Sequence, residues 1–167
     1  LKLTFHDSVE YMVKFCDVVT INCPLNPETE HLFDETMINK MKKGAYIVNT
    51  ARGKICDKDA IAAALKSGQL SGYAGDVWFP QPAPNDHPWR SMPHHGMTPH
   101  TSGTSLSAQT RYADGVREIL ECFFEKKEIR NQYLIVKDGE LAGMGAHSYS
   151  KGTATDGSEE AAKYQKK

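Results

Sequence analysis

Residues 44–53, GAYIVNTARG, constrain this chain more than any other segment. The apolar run Ala45-Tyr46-Ile47-Val48 stops abruptly at Asn49-Thr50-Ala51-Arg52-Gly53. Apolar and β-branched residues followed by small polar ones read as a buried strand leaving its sheet. In an open parallel α/β sheet, ligands bind outside the carboxyl ends of the strands. Arg52 is then a permanent cation with five donors, held where a ligand belongs. Its planar fork suits a carboxylate better than a lysine would. The competing reading is a local ion pair with Asp57 or Asp59.

The flanking sequence alternates in the same way. Asp7 with Glu10 three residues on has the spacing of a capping box. It predicts a short helix with Val9, Met12, Val13 and Cys16 on one face. Residues 17–22, DVVTIN, predict a strand stopped by Cys23-Pro24. Residues 34–43 predict a helix ending at Gly44, and 57–67 (DKDAIAAALKS) one ending at Gly68. Residues 72–78 predict a short Gly-rich strand. Residues 79–99 hold Pro80, Pro82, Pro84, Pro88, Pro93 and Pro99 and read as one long functional loop. From Thr104 to about Phe124 the positions Tyr112, Val116, Ile119, Leu120 and Phe123 recur at helical spacing. Residues 138–167 are rich in Gly, Ser and Lys and read as a tail. The start, LKLTF, is strand-like and has neither an initiator methionine nor a signal peptide. It reads as the middle of a longer protein.

Alternating helices and strands imply a parallel sheet with right-handed crossovers. Four strand exits follow: Cys23-Pro24, Thr50 to Arg52, Asp76-Val77 and Pro99-His100. Together they line one cleft. His100 sits in MTPHTSG, between a proline-fixed approach and a helix start. Its imidazole is a donor or acceptor there, and the amides of Ser102, Gly103 and Thr104 are available to an anion. Asp76 is either a ligand acceptor at a strand tip or a buried acid that pairs with a basic group or caps a turn. Cys23 is either a small core residue or a thiol in the cleft.

Charge and cysteine content exclude several classes. With 20 basic and 21 acidic residues the net charge is −1, which argues against a nucleic-acid or membrane-surface partner. No apolar run approaches the ~20 residues of a membrane span. Cys16, Cys23, Cys56 and Cys122 show no metal-ligand spacing and read as reduced thiols in a cytoplasmic protein. No metal site is expected. A chain of 167 residues can bury a real core.

GAYIVNTARG, GYAGDVWFPQPAP, MTPHTSGT and AQTRYADG together resemble the C-terminal part of NAD-dependent formate dehydrogenases, within the D-2-hydroxyacid dehydrogenase family. The tail GAHSYSKGTATDGSEEAAKY is similar to the bacterial type, and the likeness spans essentially the whole chain. The resemblance implies the second half of a Rossmann-type, doubly wound parallel sheet over residues 1–101. Residues 102–167 would be a long helix and tail returning to the catalytic domain. It implies NAD as cofactor, formate as substrate and a homodimer. Arg52 would bind the carboxylate, with His100 and its partner Gln81 beside it. Pro24, Asn49, Thr50, Ala51, Asp76, Ser102 and Gly103 would line the cofactor, and His147 and Ser148 would close over it. The family's GxGxxG turn and its cofactor-selecting acid are absent from the 167 residues. Relatives acting on 2-hydroxy acids place a glutamate where Gln81 stands, so a 2-hydroxyacid or glyoxylate reductase is the rival enzyme. A non-catalytic dinucleotide-binding module is the rival of another class.

Overall fold

The structure, a computed structural model, describes residues 3–134 and 136–141. The chain divides into two units, Leu1–Gly103 and Thr104–Lys167.

The first unit is built on a four-stranded sheet: β1 Val18–Ile21, β2 Ala45–Asn49, β3 Leu70–Gly75 and β4 His95–Met97. All three strand pairings are parallel and the spatial order is the chain order. Each step to the next strand therefore moves the same way across the sheet. Right-handed crossovers then place the connecting elements on one face. The burial pattern agrees. Val19, Ile21, Ala45 and Ile47 are buried, whereas their strand neighbours Val18, Thr20 and Tyr46 are exposed. The period of two along a strand makes these opposite faces.

Two helices supply the covering layer. α2 spans Glu35–Lys40 and α3 spans Lys58–Ser67. Asp34 accepts from the Met37 amide at 2.8 Å to cap α2. Asp57 accepts from Asp59 and Ala60 to cap α3, each a standard N-cap bond. Gly68 closes α3 at φ 76, a conformation open to glycine. Met37 and Ile38 of α2 and Ile61 and Leu65 of α3 join the sheet's buried face in one core with Phe33, Ile55, Tyr73 and Trp89.

Several local expectations are corrected. The first helix, α1, is only Val9–Met12, and its cap is Ser8, not Asp7. Glu10 turns away to pair with Lys40 at 2.9 Å. Leu3 and Phe5 form no strand and are exposed, because no neighbouring strand pairs with them. The proline-rich segment is not one loop. It contains a 3-10 turn at Pro88–Arg90 and the edge strand β4. β3 begins and ends earlier than its glycines suggest.

In the second unit α4 spans Leu106–Phe124, capped by Ser105. Its positions Tyr112, Val116, Leu120 and Phe123 are exposed. A two-stranded antiparallel pair follows, β5 Val136–Lys137 with β6 Glu140–Leu141.

Candidate functional site

Register assembles the site. Ile21 pairs with Asn49, Asn49 with Gly75, and Gly75 with Met97. These residues end, or nearly end, their strands in one row. The residues that follow them leave the sheet along a single edge: Cys23-Pro24, Thr50 to Arg52, Asp76 and Thr98 to His100. Four parallel strands ending together leave a shelf of loops there, and this is where such sheets bind ligands.

The first loop carries Arg52. Asn49 is the last residue of β2 and fully buried. Its Oδ1 accepts from the Ala51 amide at 3.1 Å, and its Nδ2 donates to the Arg52 carbonyl at 3.0 Å. The Arg52 side chain is exposed, and Nη1 donates to the Ala51 carbonyl at 2.7 Å. Among the described residues its guanidinium has no carboxylate partner, so the ion pair with Asp57 or Asp59 does not form. Asp57 instead caps α3. Gly53 then runs against the next strand's exit: a Cβ there would lie 2.5 Å from the Trp78 carbonyl carbon and 2.8 Å from the Phe79 nitrogen. Only a glycine lets the two backbones meet.

The second cluster carries His100. His100 Nδ1 lies 2.9 Å from Gln81 Oε1. The amide oxygen only accepts, so Nδ1 carries the hydrogen. Gln81 lies between two cis peptides, Phe79–Pro80 and Gln81–Pro82. His100 itself has φ 61, the left-handed region that costs a non-glycine residue on the order of 1 kcal/mol. What holds it there is Asp76. Asp76 Oδ1 accepts from the Thr101 amide at 2.9 Å and from the Thr98 hydroxyl at 2.6 Å, and Oδ2 accepts from the Ser102 amide at 2.8 Å. The carboxylate thus grips the chain on both sides of His100. Burial of Asp76 disfavours its charged form. Hydrogen bonds from the Ser102 and Thr98 hydroxyls and the Ser102 and Thr101 amides outweigh that and hold its carboxyl well below the usual range.

This revises the sequence reading at one point. The amide of Ser102 was expected to face an anionic ligand. The anion it meets is the protein's own Asp76. Asp76 is therefore buried and caps the turn, with two hydroxyls and two amides of that turn meeting its carboxylate.

Pro24, Thr50, Ser102 and Gly103 are exposed at the edge and Ala51 is half-buried. Asn49 differs: it faces inward and its amide is spent within the turn. Cys23 is half-buried, and desolvation pushes its thiol above the ordinary value. His147 and Ser148 lie outside the described residues. Sequence reasoning missed three supports. Trp78 Nε1 donates to the Thr98 carbonyl at 2.8 Å. Thr98 donates to Asp76. Buried His87 accepts from the Trp89 amide at Nδ1, which leaves its hydrogen on Nε2, 3.0 Å from the Phe79 carbonyl. The tryptophans and His87 in so polar a loop were the available signal.

A parallel sheet with an arginine and a histidine in the loops at its carboxyl edge has the ligand-binding edge of an open α/β fold. Residues 2–102 match the family model described as D-isomer specific 2-hydroxyacid dehydrogenase, NAD binding domain, and the chain belongs to that family. It is 69% identical over 166 residues to a formate dehydrogenase of Pseudomonas sp. (strain 101), covering 99% of this chain and 41% of the relative. Among solved structures it is similar to a Granulicella formate dehydrogenase, with 64% identity, a TM-score of 0.73, and 84% and 38% of the two chains covered. It also matches a Staphylococcus aureus NAD-dependent formate dehydrogenase solved in complex with NAD, with 53% identity, a TM-score of 0.67, and coverage of 79% and 40%. The chain spans about two-fifths of the length of these relatives. Among the described residues, no helix is long and apolar enough to cross a membrane.

Proposed function

We propose that this chain is the coenzyme-domain part of an enzyme that oxidises formate to CO2, with NAD+ as the hydride acceptor. The observation that carries the proposal is the 2.9 Å contact between His100 and an uncharged Gln81. Oxidation of a 2-hydroxy acid releases a hydroxyl proton and needs a base; a carboxylate beside histidine would hold the imidazolium that forms. Formate has no such proton. HCOO⁻ and NAD⁺ give CO2 and NADH by hydride transfer alone. A glutamine amide orients the ring without adding a charge, and by turning over it can meet either protonation state of Nδ1. The reductase reading would want a carboxylate at position 81.

The shelf fits a dinucleotide in part. Pro24, Thr50, Ala51, Ser102 and Gly103 would line it, and the resemblance adds Asp76 as a contact to the cofactor's carboxamide. The resemblance adds His147 and Ser148 and a homodimer to the proposal, and the cysteine pattern adds a cytoplasmic location. Arg52, without an internal carboxylate, binds the formate carboxylate through its fork. His100 Nε2, which has no partner among the described residues, would donate to or accept from the same substrate. Rate then comes from positioning and from electrostatics set before the reaction begins.

The test is a graft in which this chain replaces the matching 41% of the Pseudomonas relative. Arg52→Lys keeps the charge and loses the fork. A charge-assisted pair is worth about 1.5–3 kcal/mol, so kcat/KM for formate should fall roughly tenfold to a hundredfold. NAD affinity should hold. Equal loss of NAD affinity would make Arg52 a cofactor or structural residue instead.

A further inference from the structure

We propose that Asn49 is a positioning residue for Arg52, and that its side-chain amide fixes where the guanidinium can reach. The inference rests on the reading of Arg52 as the carboxylate-binding group. It starts from an anomaly of burial. Ala45, Ile47 and Asn49 share one face of β2 by the two-residue period, and all three are buried. An apolar residue would continue that face. A buried amide costs roughly 1–3 kcal/mol unless its donors and acceptor are met. Here they are met almost wholly by the turn that carries Arg52.

The two bonds bracket the pair Ala51-Arg52. Oδ1 accepts the Ala51 N–H and Nδ2 donates to the Arg52 C=O. Between these two peptide groups lie the Cα atoms of Ala51 and Arg52, so the amide closes a ring that includes the Arg52 Cα. A second contact from Nδ2, 3.6 Å to the buried Cys56 Sγ, ties the same amide to the core. That thiol is pushed up to about 12 by desolvation, with the Asn49 amide working against it. It therefore stays neutral and leaves the amide's other bonds undisturbed. The main chain of Asn49 is fixed independently, because its carbonyl accepts the Asp76 amide at 3.1 Å.

Removing the side chain therefore leaves the strand and frees the turn. Arg52 keeps its charge but loses its bearing. A 1 Å error at a reacting group costs about a hundredfold in rate at worst.

The experiment is a double-mutant cycle in the graft, with formate and NAD kinetics measured for Asn49→Ala, Asn49→Ser, Arg52→Lys and the combinations. A serine hydroxyl at the same place can still accept from the amide two residues on, but cannot also reach the Arg52 carbonyl. We expect kcat/KM for formate to fall about tenfold in Asn49→Ala and less in Asn49→Ser, with KM for NAD changed less than about twofold. In the Arg52→Lys background the Asn49→Ala step should cost little more, because the two act as a unit. Full additivity overturns the inference, as does an equal loss of NAD affinity. Failure of both Asn49 variants to fold also overturns it, since the role is then structural. An Arg52→Lys variant with unchanged formate kinetics would instead sink the reading of Arg52, whatever Asn49 does.

Discussion

The amide of Asp76 donates to the carbonyl of Asn49 at 3.1 Å, joining the tips of β3 and β2. Each of these residues has a buried side chain that grips the loop beyond its own strand. Asn49 holds the turn of Arg52, and Asp76 holds the turn of His100. The two groups assigned to the substrate are thus held from the ends of the neighbouring strands β2 and β3, which are bonded to each other.

The Asp76 grip predicts an acid-dependent stability. Its folded pKa lies below that of an unfolded aspartate, which is about 3.9. A depressed pKa contributes stability that is fully present above the unfolded value and is lost as pH falls through the folded one. Asp76→Asn in the graft should therefore cost most, about 1–3 kcal/mol, from pH 5 upward. The deficit should shrink steadily below pH 4. Urea unfolding of both proteins across that range measures it. A deficit that stays constant with pH would show that the charge is not what matters.

Gly53 predicts a coupling of the two loops through backbone. A Cβ at Gly53 would meet the Trp78 carbonyl carbon at 2.5 Å and oxygen at 2.6 Å. Neither can swing aside as a flexible side chain does. Gly53→Ala should push the Arg52 turn away from the segment leading to Gln81. Overpacking of this kind costs typically about 1–3 kcal/mol. A lower melting temperature, together with weaker formate turnover, is expected. An unchanged melting temperature would mean that the two backbones are not held together in solution.

Much of this was legible from residue type and spacing. The β-branched runs gave β1 and β2, and the acidic caps gave α2 and α3, because burial and capping leave local traces. β4 left none. His95-Gly96-Met97 is three residues long and half-polar, and it exists because β3 offers it an edge. Leu3 and Phe5 are the converse, a strand-like pattern with no partner. At the site, Arg52, Gln81 and His100 could be picked out by motif. Asn49 could not be separated from its neighbours by motif, although the alternation Ala45, Ile47, Asn49 already placed it inside. The Thr98 and Ser102 bonds to Asp76 span 22 and 26 residues. Contacts of that kind follow from strand register, which no single segment encodes.

Gln81→Glu tests the neutrality of the pair. A carboxylate beside His100 favours the imidazolium, and an opposite charge that close raises a pKa by roughly one to three pH units. In the graft the pH–rate profile of formate oxidation should move toward higher pH, and the rate near pH 7 should fall. Reduction of 2-keto acids should gain. Coincident profiles for the two proteins would show that Gln81 does not set the charge of the histidine.

The 167 residues expressed alone test how much of the site this chain supplies. A dinucleotide's pyrophosphate is held by a glycine turn at a helix N-terminus. No GxGxxG occurs in the sequence. On the proposed reading, Pro24, Thr50, Asp76 and Ser102 would reach only part of the cofactor. Among the described residues β1 is an edge strand of the sheet, with Val18 exposed and no strand paired to its outer side. Such an edge invites association with another chain. The isolated chain should therefore show no micromolar affinity for NAD by calorimetry and no NADH formation with formate. Its sedimentation should shift to larger species as concentration rises. Tight NAD binding, or turnover by the chain alone, would place a complete phosphate site within these residues and contradict the division of the site argued above.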